Sequence, residues 1–170
     1  MVEEYKLKII ILGDPAVGKT SLVRRYVSGR FTNDYRATIG TNIYTKKLKA
    51  KFGMASLGIW DIAGQERWIS MRHKYYLGCQ GAFIVADVTR LSTFTQIEEF
   101  WIPDLKKYLP KIPFILLANK KDLEVKINEK EIQDLTKRVD AIQTIKTSAK
   151  SGENVNLAFK TLAEIILYKI

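Results

Sequence analysis

Cysteine and histidine occur once each in this chain of 170 residues, and no stretch approaches the ~20 apolar residues of a membrane-spanning helix. The single cysteine, Cys79, excludes an internal disulfide, and packing is its expected role. His73 stands alone between Arg72 and Lys74 and reads as a solvated side chain rather than a catalyst or metal ligand. The N-terminal Met1-Val2-Glu3-Glu4 lacks the basic start of a signal peptide and carries Val2 where myristoylation requires glycine. These absences together lead us to expect an intracellular soluble protein. No repeat, linker or low-complexity segment breaks the chain, and 46% hydrophobic content suffices for one core, so residues 1–170 are expected to form one domain.

Acidic residues are the other shortage: 18 against 28 basic ones leave a net charge of +10. Such an excess raises nucleic acid or an acidic membrane surface as partners. The basic residues are nevertheless scattered through Arg24-Arg25, Lys46-Lys47, Lys49, Lys51, Lys106-Lys107 and Lys120-Lys121. No helix carries a basic stripe and no aromatics interleave with it, which argues against direct nucleic-acid binding.

What the chain does have is strand-length apolar runs at 5–12, 42–50, 55–61, 81–88, 112–118 and 142–147. Helical patterns are expected at about 18–28, 66–77, 92–109, 128–138 and 154–168, with Ser92, Asn128 and Glu153-Asn154 near helix starts. Strands alternating with helices predict an α/β fold, a mostly parallel six-stranded sheet with helices on both faces. Tyr44 to Ala50 and Ala55 to Trp60 are separated only by Lys51-Phe52-Gly53-Met54, so they form a hairpin and supply the one antiparallel strand. Gly58 inside that hairpin marks either a close backbone approach or mere tolerance. Phe83, Phe94, Phe100 and Phe159 fall at core spacing.

Between the first strand and first helix lies Gly13-Asp14-Pro15-Ala16-Val17-Gly18-Lys19-Thr20, which fits G-x-x-x-x-G-K-[ST], a phosphate-binding loop. Glycines let the backbone curl so that successive N–H groups form an anion nest at a helix start. Pro15 has no N–H, so the nest must begin at Ala16. Lys19 is placed for the β- and γ-phosphates, and the Thr20 hydroxyl for Mg²⁺, a hard cation that prefers oxygen.

Three further motifs fall at the carboxyl ends of strands, where ligands of such sheets collect. Asp61-Ile62-Ala63-Gly64 ends the third strand: Asp61 can hold Mg²⁺ through water, and Gly64 can offer its N–H to a γ-phosphate and act as a hinge. Gln65, with a donor and an acceptor, suits orienting an attacking water. In Asn119-Lys120-Lys121-Asp122 the carboxylate can accept two hydrogen bonds from the guanine edge, which adenine lacks. After the last strand, Thr147-Ser148-Ala149-Lys150 can turn a backbone N–H to guanine O6.

With these motifs in this order, the chain resembles a small GTPase of the Ras superfamily over essentially its whole length, and hence the P-loop NTPase fold. The resemblance implies GTP or GDP as bound nucleotide with Mg²⁺, and slow intrinsic hydrolysis of GTP to GDP that works a molecular switch. It implies nucleotide contacts from Ala16, Val17, Gly18, Lys19, Thr20, Ser21, Phe31, Tyr35, Thr38, Gly64, Asn119, Lys120, Asp122, Ser148, Ala149 and Lys150. Thr20, Thr38 and Asp61 are the implied metal residues, and Gln65, Lys19 and Thr38 the catalytic ones. Residues 33–43 and 60–76 would meet effectors, exchange factors and GTPase-activating proteins, with the protein itself a monomer.

Within the superfamily, Trp60 to Arg67, Tyr75-Tyr76 and Thr38-Ile39-Gly40 look most like Rab proteins, which implies a role in membrane trafficking or signalling. Several positions depart from that pattern. Pro15 and Ala16 stand where glycine or serine is usual, Ile62 for threonine, Trp68 for a smaller aromatic, and Ile43 for the phenylalanine of an effector-binding triad whose other members match Trp60 and Tyr75. Pro15 and Trp68 keep open a nucleotide-locked scaffold without useful turnover, against which Gln65 argues; a GTPase acting on RNA or ribosomes rests on charge alone. Arg36 precedes Thr38 by two residues and is expected to face solvent or a partner rather than the phosphates. The sequence ends at Lys169-Ile170 without a cysteine to prenylate. Either a tail was removed or none is used, so the expectation is a cytoplasmic protein, peripheral to membranes if a lipidated tail was truncated.

Overall fold

In the computed structural model, residues 3–33, 38, 40–64 and 69–170 are described. Strand β1 (Glu4–Gly13) leads into helix α1 (Lys19–Ser28). Then come β2 (Thr41–Ala50), β3 (Gly53–Ile62), α2 (Ile69–Tyr76) and β4 (Gly81–Asp87). Helix α3 (Leu91–Gln96) passes through a π-helical turn (Ile97–Trp101) into α4 (Ile102–Tyr108). The chain closes with β5 (Phe114–Asn119), α5 (Glu129–Arg138), β6 (Thr144–Lys146) and α6 (Val155–Lys169).

The strands form one six-stranded sheet in the order β2-β3-β1-β4-β5-β6. Every pairing is parallel except β2 with β3, as the hairpin required. Pairing runs on to Ala50 opposite Gly53, so the connection is only Lys51-Phe52, shorter than the four residues expected.

Alternation along the central strands divides the core in two, because successive side chains point to opposite faces. Ile9, Ile11, Phe83, Val85, Ile115 and Leu117 pack under α1 and α6 with Leu22 and Phe159. Ile10, Leu12, Ala82, Ile84 and Leu116 pack on the other face with Trp101, Leu105 and Ile132. Cys79 is buried and Phe100 packs against the second cluster, both as expected. At Gly58 a Cβ would find only ordinary contacts, the nearest at 3.7 Å to Leu7 O, so this glycine is tolerated rather than required.

Two local features differ from expectation, the third helix and the sixth strand. The helix foreseen at 92–109 is interrupted, the Ile102 N–H donating to Ile97 O, five residues back. Pro103 accounts for this: it has no N–H for the carbonyl four residues earlier, and its ring would crowd that carbonyl. Ser92 stands near a helix start as expected, one residue inside α3, with Arg90 at the cap position and the Thr93 hydroxyl donating to Arg90 O at 2.7 Å. The sixth strand is only Thr144–Lys146, not 142–147. The helix start at Asn128 is a full capping box with Glu131.

Candidate nucleotide site

Gly13, Asp87, Asn119 and Lys146 end β1, β4, β5 and β6, and Asp61 is the last residue but one of β3, which brings the four sequence motifs to the carboxyl end of the sheet. There they surround a cavity of about 490 Å³. Its walls include Ala16, Gly18, Lys19, Thr20 and Ser21 from the loop between β1 and α1, Phe31 and Thr38 after α1, and Gly64 after β3. Asn119, Lys120, Asp122, Ala149 and Lys150 complete the opposite side. Phe31 also packs against the α1–α6 core cluster. Val17 and Ser148 are fully buried just behind the walls. Tyr35 and Gln65 lie outside the described residues, as do Arg36 and Trp68.

The loop backbone is held in unusual conformations. Gly18 has φ 99° and its Cβ would stand 2.4 Å from Asn119 Nδ2, so no other residue fits. Ala16 also lies in the left-handed region, at φ 64°, a conformation that costs a non-glycine residue about 1 kcal/mol. Side chains brace this loop from behind. Asn119 Nδ2 donates to Val17 O at 3.0 Å and Lys120 Nζ to Ala16 O at 2.8 Å. Asn119 is itself fixed by the Thr147 hydroxyl, which donates to its Oδ1 at 3.0 Å.

Because the C=O and the following N–H of a trans peptide point in opposite directions, carbonyls turned outward direct the next N–H groups inward. Asn119 and Lys120 thus orient the N–H groups of Gly18 and Val17. Both side chains are expected on the nucleotide. Here they line the cavity while bonding to the loop that forms it.

Inside the loop, Lys19 Nζ donates to Gly13 O and Asp14 O, each at 2.8 Å. Burial lowers this ammonium to a pKa of about 8, opposed by the carboxylates of Asp61 and Asp14 and assisted by the charge of Arg90. A desolvated cation whose hydrogen bonds among the described residues go to backbone carbonyls is well suited to receive an anion.

Beside it, Thr20 Oγ1 donates to Asp61 Oδ2 at 2.5 Å and lies 2.9 Å from Thr38 Oγ1. Asp61 is fully buried, and burial raises its carboxyl pKa despite the Thr20 hydrogen bond and the nearby charge of Lys19. Its Oδ1 has no hydrogen-bond partner among the described residues. A buried carboxylate oxygen left in this state is costly unless a cation or water meets it. Among the described residues no group of three or more His, Cys, Asp or Glu could hold a metal ion. One carboxylate and two hydroxyls suit Mg²⁺, which keeps waters and shares substrate phosphates rather than using an all-protein cage.

At the other end Asp122 is exposed, and the Ser148 hydroxyl donates to its Oδ1 at 2.8 Å. Behind this loop Arg25 of α1 donates through Nε to Ala149 O at 2.7 Å and also bonds Lys150 O. In sequence Arg25 is one of the scattered bases. Its task depends on a residue 124 positions away, and no local pattern could have revealed it.

Residues 8–168 match the model of the Ras family. The chain belongs to this family. It is 39% identical over 163 residues to Ras-related protein Rab7 of Drosophila melanogaster, covering 93% of this chain and 79% of that protein. The Ypt/Rab-type GTPase YPT7 of Saccharomyces cerevisiae is 39% identical over 169 residues, 95% of this chain and 81% of its own. Ras-related protein Rab7 of Glycine max is 38% identical over 169 residues, 95% and 82% respectively. This Ras-family chain is a Rab-like small GTPase: it binds GTP, hydrolyses it to GDP, and acts as a molecular switch. Among the described residues no helix is long and apolar enough to cross a membrane.

Proposed function

We propose that residues 1–170 form one GTPase domain that holds guanine nucleotide and Mg²⁺ in this cavity and serves membrane trafficking, as its resemblance to Rab proteins implies. The observation that carries the site assignment is the buried Asp61 carboxylate, one oxygen bonded to Thr20 and the other unpartnered among the described residues, beside the Lys19 ammonium.

In this reading the N–H groups of Ala16, Val17, Gly18, Lys19, Thr20 and Ser21 surround the phosphates. Lys19 leaves the carbonyls of Gly13 and Asp14 for the β- and γ-phosphate oxygens. Thr20, Thr38 and Asp61 hold Mg²⁺, which supplies positive charge to phosphate oxygens when bound. Gly64 donates its N–H to the γ-phosphate, Thr38 meets it from the other side, Tyr35 contacts the nucleotide, and Gln65 orients the attacking water. Asp122 accepts from the guanine edge, with Phe31, Asn119, Lys120, Ser148, Ala149 and Lys150 enclosing the base. Residues 33–43 and 60–76 change with the nucleotide and meet effectors, exchange factors and activating proteins; the protein acts as a monomer at the cytoplasmic side of a membrane.

The test is to denature the purified protein, identify the released nucleotide, and follow it over time with Mg²⁺. GTP converting to GDP is the expected result. Absence of guanine nucleotide removes the site assignment, and GTP that never converts favours the locked scaffold.

A further inference from the structure

Arg90, at the start of α3, reaches the phosphate loop from outside. Its Nη2 donates to Pro15 O at 2.9 Å and its Nε to Asp87 Oδ2 at 3.3 Å. The same Asp87 oxygen pairs with Lys120 Nζ at 2.9 Å, and Lys120 bonds Ala16 O. Two cations sharing one buried carboxylate therefore grip the carbonyls of Pro15 and Ala16. Those carbonyls belong to the two peptide planes that flank Ala16, the residue held at φ 64°.

Pro15 has no N–H, so the plane carrying its carbonyl bears the first N–H of the nest, that of Ala16. With no cis peptide among the described residues, a Pro15 carbonyl turned out to Arg90 turns the Ala16 N–H in toward the cavity. Lys120 alone fixes only the second plane. An alanine is free to relax from the left-handed region by rotating the first.

We propose that Arg90 is a positioning residue for GTP binding and hydrolysis: by holding the Pro15 carbonyl it keeps Ala16 left-handed and its N–H directed at the phosphates. The proposal rests on the assignment of the cavity to phosphate.

The experiment compares Arg90→Ala, Arg90→Lys, Ala16→Gly and the double variant Ala16→Gly/Arg90→Ala with the wild type. It reads dissociation of fluorescent GDP, the ³¹P resonances of bound GDP, and single-turnover hydrolysis of GTP. Loss of one charge-assisted hydrogen bond corresponds to roughly tenfold faster dissociation in Arg90→Ala, with a displaced β-phosphate resonance. Arg90→Lys should restore part of both. In the Ala16→Gly background the loss of Arg90 should matter little, because glycine enters the left-handed region without penalty; a generic structural role for Arg90 would not show this dependence.

Wild-type dissociation and an unmoved ³¹P spectrum in Arg90→Ala overturn the proposal, as does an equal loss with Gly at position 16. Hydrolysis reduced a hundredfold with unchanged dissociation also overturns it, since Arg90 would then touch the transferring phosphate directly. Failure of the wild type to retain any guanine nucleotide sinks the site assignment instead, so the two failures are distinct.

Discussion

The indole Nε1–H of Trp101 donates to Asp14 Oδ1 at 2.8 Å, joining the π-helical turn to the phosphate loop across 87 positions of sequence. Trp101 is almost completely buried, and a buried indole requires an acceptor. Trp101 is the last residue of the π-helical turn, two positions before Pro103. Trp101→Phe keeps most of the packing and loses the bond to a carboxylate. We expect about 2 kcal/mol of lost stability, read by urea unfolding of the GDP-bound protein. Asp14→Asn keeps an oxygen acceptor and should cost less than Asp14→Ala in the same assay.

Base choice should follow Asp122. Its carboxylate stands on the cavity wall with Oδ1 held by the Ser148 hydroxyl, which fixes the plane of the group. Replacing it by Asn puts a donor opposite the guanine donors and suits xanthine, whose edge accepts there. Asp122→Asn should weaken GTP at least a hundredfold relative to xanthosine triphosphate in competition binding. Retained preference for GTP would remove Asp122 from the base site.

Asp87 makes a pH-dependent contribution. Burial alone would raise its carboxyl pKa. The hydroxyl and N–H of Thr89 and the ammonium of Lys120 outweigh that and hold it below the ordinary value of 3.8. A depressed carboxyl stabilises the folded state above the unfolded pKa, and that stability is lost as pH falls through the folded one. Asp87→Asn should therefore lower stability by about 1–3 kcal/mol at neutral pH. The gap from wild type should stay constant down to pH near 5 and close below pH 4, which denaturant titrations at a series of pH values would measure. A constant gap at all pH values would mean that the charge contributes nothing.

How much of this was legible in sequence depended on whether the information is local. The phosphate loop, Asp61-Ile62-Ala63-Gly64, Asn119 to Asp122 and Ser148 to Lys150 each sit at a strand end, and strand ends can be read from apolar runs. The hairpin was legible because four residues leave no room for a crossover. Arg25, Arg90 and Trp101 were not, since each acts on a backbone or side chain brought near only by the sheet. One signal of the broken helix was local, Pro103 inside the helical pattern, whereas the left-handed backbone at Ala16, a position where glycine is usual, shows only in the structure. Gln65 and Tyr35 fall outside the described residues, so their roles rest on the motif alone.

Hydrolysis without a partner should be slow, on the order of 3–5 × 10⁻⁴ s⁻¹, the intrinsic rate of Ras, whose site has no arginine of its own. Gln65→Leu should lower it further, because leucine offers the water neither acceptor nor donor. Arg36→Ala should leave it unchanged. A wild-type rate near ~10⁻² s⁻¹ that collapses in Arg36→Ala would show an arginine acting in cis. Single-turnover measurements on the three proteins separate these outcomes.

Gly64 is where switching should be most sensitive to a single carbon. A Cβ there would lie 2.4 Å from Gly13 O and 2.8 Å from both Asp14 C and Pro15 N, all backbone atoms of the phosphate loop. None of these can rotate aside as a side-chain tip could. Gly64→Ala must therefore push the segment after β3 away from the loop, carrying its N–H out of reach of a γ-phosphate. GDP, which has no γ-phosphate, should be held nearly as in the wild type, while a non-hydrolysable GTP analogue loses at least tenfold, the worth of one hydrogen bond to a charged group. Trp60, which packs against Tyr75 at 6.0 Å and under Lys8 Nζ at 3.9 Å, reports on the same segment. Its fluorescence should differ between the two nucleotide states in the wild type and hardly at all in Gly64→Ala. Equal losses of GDP and the GTP analogue would mean that the methyl group disrupts the loop as a whole, and that Gly64 is a packing residue rather than the hinge of a switch.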